Sequence, residues 1–199
     1  MKKSCLLIVS LLIILILCAC GKADTKVPEE AEKSDKGEEI VSEENYSVFE
    51  EDGPEGKRYY YEIKANDGTV MENVYTHDKP VISERAKNIY SVLFFTDGKY
   101  FCRYYNVDTK EMTESFSRVF WDNGKVLARQ NFAGDRSIVV QSIFDDSYCE
   151  ETLIDCIMSQ FTVLAASLSE DGKTLNVTYI PGNGGDVGFT ETDVAVPLP

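Results

Sequence analysis

From residue 58 onward the chain is a succession of short runs rich in β-branched and aromatic residues, separated by tight-turn signals. Thr174 to Tyr179 alternates strictly, with Leu175, Val177 and Tyr179 on one face, the period of a half-buried strand. Ile138-Val139-Val140 and Leu164-Ala165-Ala166 are apolar at successive positions, which predicts inner strands covered on both sides. Asn66-Asp67-Gly68, Asp97-Gly98-Lys99, Asn123-Gly124-Lys125 and Asp171-Gly172-Lys173 punctuate these runs. Asn-Gly and Asp-Gly supply the positive φ angles that short hairpins need. Cys149 to Gln160 fits two patterns, because Cys149, Leu153, Cys156 and Ile157 also match helical spacing. The expectation is a strand followed by a turn, with a short helix as the alternative.

Many short strands with little helical periodicity predict a single all-β domain over residues 58–199. An internal repeat refines this. Asp97, Asp108 and Thr109 lie 38 residues before Asp135, Asp146 and Ser147, and the Asn123 and Asp171 turns are 48 apart. Such spacings suit one four-stranded unit of roughly 40–50 residues. Leu168-Ser169-Glu170-Asp171-Gly172-Lys173-Thr174-Leu175 resembles the hairpin between the first two strands of β-propeller blades. Val107-Asp108-Thr109-Lys110-Glu111 is similar to the turn between their last two strands. The resemblance implies an antiparallel meander of blade-like sheets, about three incomplete blades at that unit length. A two-sheet sandwich is the plainer alternative, and in either case Arg58 to Ala65 would be an edge strand in need of shielding.

The first twenty residues follow other rules. Lys2 and Lys3 precede an apolar run, Leu6 to Leu17, broken only by Ser10, and small residues follow. That is the layout of a secretory signal peptide. Cys5 to Cys20 is sixteen residues, short of the roughly 20 a spanning helix needs. Leu17-Cys18-Ala19-Cys20 resembles the lipobox of bacterial lipoproteins, which signal peptidase II processes. The resemblance implies a signal peptide at 1–19, cleavage between Ala19 and Cys20, and a diacylglycerol with palmitate-type chains on the Cys20 sulfur. Two acyl chains give stable attachment where one is marginal. The protein would then sit on the extracytoplasmic face of the cell membrane.

Residues 20–57 read as the lipidated cysteine and an acidic, disordered linker. From Gly21 to Lys57 there are 13 acids and 5 bases, and low hydropathy with high charge opposes a packed core. Over the whole chain 34 acids face 20 bases, a net charge of -14. That sign argues against nucleic-acid binding, which needs a basic footprint. Oligomeric state has no reading in the sequence.

Candidate chemistry is sparse. His77, the single histidine, sits in Tyr75-Thr76-His77-Asp78-Lys79-Pro80 and reads as an exposed loop residue rather than a base oriented by Asp78. Asp145-Asp146 and Glu150-Glu151 are the carboxylate pairs that a glycan-active envelope enzyme would draw on. In an acidic chain they read more simply as turn residues. Gly182-Asn183-Gly184-Gly185-Asp186 supplies too few oxygens for calcium. Cys102, Cys149 and Cys156 lack zinc spacing and read as buried free thiols, a bridge from Cys102 being the alternative. Tyr59-Tyr60-Tyr61 and Tyr104-Tyr105 would alternate across a sheet, and an exposed row of them suits a glycan or envelope-protein partner. No catalytic residue, cofactor or metal is therefore expected. The sequence predicts a lipid-anchored, non-catalytic binding or scaffolding module, with the glycan enzyme as the alternative.

Overall fold

The structure is a computed structural model that describes residues 37–54, 56–96, 98–133, 136–154, 161–182 and 190–199. The leader, the lipobox with Cys20, Cys156, Asp97, Asp135 and residues 183–186 of the glycine loop lie outside the described residues. Sixteen strands, all paired antiparallel, form four small sheets, and no helix occurs among the described residues. The first sheet is β1 (Glu38–Ser42), β2 (Tyr46–Gly53), β3 (Gly56–Lys64) and β4 (Val70–Thr76). The second is β5 (Val81–Ala86), β6 (Ile89–Thr96), β7 (Lys99–Asn106) and β8 (Glu111–Met112), with β9 (Phe116–Ser117) also paired to β7. The third holds β10 (Val119–Asp122), β11 (Val126–Asn131), β12 (Ser137–Ser142) and β13 (Cys149–Leu153). The fourth holds β14 (Phe161–Leu168), β15 (Thr174–Pro181) and β16 (Thr192–Pro197). Apart from β9, each sheet is a meander, with strands neighbouring one another in chain order.

One hydrogen bond recurs in all four sheets and shows that they are the same unit. The amide just past or at the end of the third strand donates to the carbonyl of the residue just before the second. The pairs are Lys64 to Asn45 (2.7 Å), Val107 to Asn88 (3.0 Å), Ile143 to Lys125 (2.9 Å) and Leu198 to Lys173 (2.9 Å). By this criterion β16 is a third strand. The Asp171 turn joins the first two strands of its sheet and the Asp108 turn joins β7 to β8, the positions that the blade resemblance implies. Asp108-Thr109 and Asp146-Ser147 both fall between third and fourth strands, so the 38-residue offset is a structural repeat.

The sheets stack through both faces of the inner two. Tyr61 and Val48 of the first sheet meet Val92, Phe94 and Tyr105 of the second. Cys102 and Tyr104, on the opposite face of β7, meet Leu127 of the third. Val126 and Ala128, on the other face of β11, meet Leu175, Val177 and Tyr179 of the fourth. Alternation along β7 and β11 thus sends neighbouring residues into different cores. Among the described residues no core cluster joins the first sheet to the fourth, so the described residues form an open array.

Several expectations are corrected. The linker boundary at residue 57 gives way to a fold that begins at Glu38, with β1 paired to β2 and β2 paired in turn to β3. Inward residues Val41, Tyr46 and Val48 pack the first core, while the glutamates point elsewhere or find cations: Glu51 accepts from Arg58 at 2.5 Å, and Glu50 from Lys57. Between Glu38 and Lys57 eight acids face one base, whereas residues 21–36 hold five acids and four bases. The negative charge assigned to a linker therefore belongs to the first sheet. These two strands complete the first of four sheets, where about three are expected, and they place β3 inside a sheet rather than at its edge. Leu164 and Ala165 are exposed, not covered on both faces, because their strand opens the last sheet of the array. Ile138, Val139 and Val140 are buried as expected.

Candidate functional site

Two largely covered carboxylates, Glu72 and Asp122, with side chains 13% and 7% exposed, hold polar networks at the seams between sheets. At the first seam Glu72, on β4, accepts from Arg103 Nη1 and Tyr105 Oη in short contacts and from Tyr61 Oη at 3.3 Å. Tyr61 and Tyr105 hydroxyls lie 3.1 Å apart, and Arg103 Nε and Nη2 donate to Ser115 Oγ at 3.2 and 2.9 Å. At the second seam Asp122 accepts from Arg85 Nε at 2.8 Å and from Tyr104 Oη at 3.0 Å. Burial pushes the Tyr61, Tyr104 and Tyr105 hydroxyls well above the usual phenol range, and the nearby carboxylates push the same way. Burial likewise raises the Cys102 thiol, to about 11. Buried charges persist when paired and hydrogen-bonded. These groups are occupied with holding sheet to sheet. Sequence reading missed them because Glu72 and Arg103 lie 31 residues apart, and Arg85 and Asp122 lie 37 apart.

The residues singled out from the sequence are dispersed. His77 and Asp78 are exposed in the connection between β4 and β5. Asp145 and Asp146 are exposed in the turn before β13, where Asp145 accepts the Ser147 amide at 2.8 Å and its carboxyl is held below the usual range by Ser147. Glu151 accepts from Ser137 Oγ and from Asn131 Nδ2, and those bonds lower its carboxyl too. Gly182 is buried at the end of β15. Cys102 is a buried free thiol as expected, but Cys149 is exposed, since β13 is the outer strand of its sheet. Among the described residues no group of three or more His, Cys, Asp or Glu could hold a metal ion.

The tyrosines alternate as expected. Tyr61 and Tyr105 enter the first seam and Tyr104 the second, all fully buried. Tyr60 points to the opposite face of the first sheet, stacked on Phe49 with centroids 4.3 Å apart and 5.4 Å from the Tyr75 centroid. The Arg58 guanidinium lies 5.3 Å over the Tyr75 ring. At 4% exposure Tyr60 is covered by its neighbours, so only the flanks of this aromatic row, Phe49 and Tyr75, are half-exposed.

A groove of about 300 Å³ opens where the first two sheets meet. Val41, Val48, Pro80, Val81 and Ile82 give it aliphatic walls, and Tyr46 and Lys79 are the polar residues of its lining. Lys79 is exposed and, among the described residues, makes no ion pair. Glu50, the acid that feels its charge, is already bonded to Lys57. Nothing in the sequence announced this groove, because its walls come from three strands of two sheets.

No family model matches the chain, and the searches of curated proteins and of solved structures likewise find no match. No helix of the described residues is long and apolar enough to cross a membrane.

Proposed function

We propose that the protein is a lipid-anchored, extracytoplasmic module that binds or scaffolds without catalysis. The observation that carries this reading is the sequence Leu17-Cys18-Ala19-Cys20 at the end of a complete secretory leader. Cys20 takes the diacylglycerol, and residues 21–36 span from the membrane to the first strand at Glu38. The first sheet is the most acidic part of the body, so an anionic lipid surface repels it and favours a body held off the membrane. Two further observations support a binding role over chemistry. The interior carboxylates Glu72 and Asp122 are saturated by donors, and the surface pairs Asp145-Asp146 and Glu150-Glu151 include members engaged in local turns and cross-strand bonds.

Mass spectrometry of the mature protein from cells tests the anchor. The expected N-terminus is Cys20 bearing a diacylglyceryl thioether, and Cys20→Ala releases the body from the membrane fraction. An unmodified Cys20, or an intact Met1 in that fraction, overturns the reading.

A further inference from the structure

We propose that the groove between the first two sheets binds an aliphatic carboxylate, with the hydrocarbon between the two sheets and the anion at Lys79. The proposal names a ligand for the binding role above and rests on that role, though not on the lipid at Cys20. Three observations carry it. Five of the seven lining side chains, Val41, Val48, Pro80, Val81 and Ile82, are β-branched or proline and offer aliphatic surface, with Tyr46 as the one aromatic beside them. Its volume, about 300 Å³, lies at the lower end of small-molecule sites, which suits a short or medium chain rather than a whole lipid.

Charge supplies the third. In a chain of net charge -14, Lys79 is the single charged residue in the lining, and it has no ion-pair partner among the described residues. A carboxylate gives it one. The opposite polarity, a cationic amphiphile, would meet Lys79 as a like charge. Val81, at 57% exposure, leaves room for the chain to enter from solvent, while Val48 and Pro80 form a buried floor.

The test uses the full chain in unfractionated lysate of cells that produce it, labelled with a diazirine-bearing octanoate and mapped by mass spectrometry. Label is expected on the segments that contain Val41, Val48 and residues 80–82. Competing carboxylates should gain about fourfold per added CH₂ until the groove is filled, and an amine of equal length should compete poorly. Lys79→Gln should weaken labelling about fivefold, the equivalent of about 1 kcal/mol, and Lys79→Arg should restore it. Lys79 is exposed, so these variants keep the fold, and a thermal melt checks that. Ile82→Trp should block labelling by filling the groove. Label spread equally over exposed Leu153 and Leu164, or competition by the amine as strong as by the acid, overturns the proposal. Either result leaves the anchored-module reading to stand or fall on the Cys20 measurement.

Discussion

Removing the Glu72 carboxylate tests whether the first two sheets are joined as described. Glu72→Leu would leave the Arg103 guanidinium, on a residue only 7% exposed, with neutral hydroxyls of Ser115 and Tyr105 as partners and no counter-charge. Tyr61 and Tyr105 would keep each other but lose their carboxylate acceptor. Breaking a buried pair from one side typically costs about 3–5 kcal/mol, because the orphaned charge stays desolvated. That is a large share of the roughly 5–15 kcal/mol that holds a domain folded. At about 2–3 kcal/mol per molar of urea, the unfolding midpoint should fall by roughly 1–2.5 M. The double variant Glu72→Leu with Arg103→Met removes both charges and should recover much of the loss, since apolar replacement of a whole buried pair is often near neutral. Urea denaturation of the soluble form lacking residues 1–20 gives all four corners of the cycle. Strict additivity of the two single effects, or a Glu72→Leu cost below about 1 kcal/mol, would show that the pair is not buried at a sheet-to-sheet seam.

Four further outcomes follow from the same packing. Gly124→Ala should destabilise more than Gly172→Ala: both glycines have positive φ, but a β-carbon at 124 would lie 2.6 Å from that of Ala86, whereas none meets anything within 4 Å at 172. Chemical denaturation should show roughly 1–2 kcal/mol for the backbone strain alone at Gly172, and a clear excess at Gly124. Leu127→Ala should cost about 2–5 kcal/mol by opening a cavity at the second seam, and Leu153→Ala should stay within about 0.5 kcal/mol; equal midpoints would contradict their exposures of 0% and 65%. A maleimide should modify Cys149 in the native protein and Cys102 only on unfolding, and prompt native labelling of Cys102 would contradict its burial and its thiol at about 11. Folding raises the ionisation points of Cys102, Tyr61, Tyr104 and Tyr105, so their stabilisation is fully present below the unfolded values and is lost as pH rises through the folded ones. Melting temperature should therefore hold to about pH 8.5 and fall progressively above it; a melting temperature unchanged at strongly alkaline pH would refute this.

Much of the β architecture was legible in the chain because its turns are local events. Asn123-Gly124, Asp171-Gly172 and Asn66-Asp67-Gly68 each mark a connection between adjacent strands, and the alternation of Leu175, Val177 and Tyr179 reports a buried face, with exposures of 0%, 0% and 4%. The first two strands were illegible for an equally physical reason. Between Glu38 and Asp52 the apolar set, Ile40, Val41, Tyr46, Val48 and Phe49, is interrupted by acids at positions that face solvent or basic partners on β3. Net charge therefore outweighed periodicity in a segment where β3 supplies the cations. Leu164-Ala165-Ala166 shows the converse limit. An apolar run says that both faces tolerate burial, and only the position of its sheet in the stack decides whether a neighbour covers them. The groove and both seam networks depend on residues brought together across sheets, for which local sequence carries no sign.

Inter-sheet proton–proton contacts in the nuclear magnetic resonance spectrum of the protein lacking residues 1–20 test the open four-sheet stack most directly. Contacts are expected from Tyr61 to Tyr105, from Tyr104 to Leu127 and from Ala128 to Leu175, with none between the first core and the fourth sheet. Cross-peaks joining Val48 or Tyr60 to Leu164 or Ala195 would mean a closed ring, and missing contacts between β2 and β3 would return residues 38–53 to the linker.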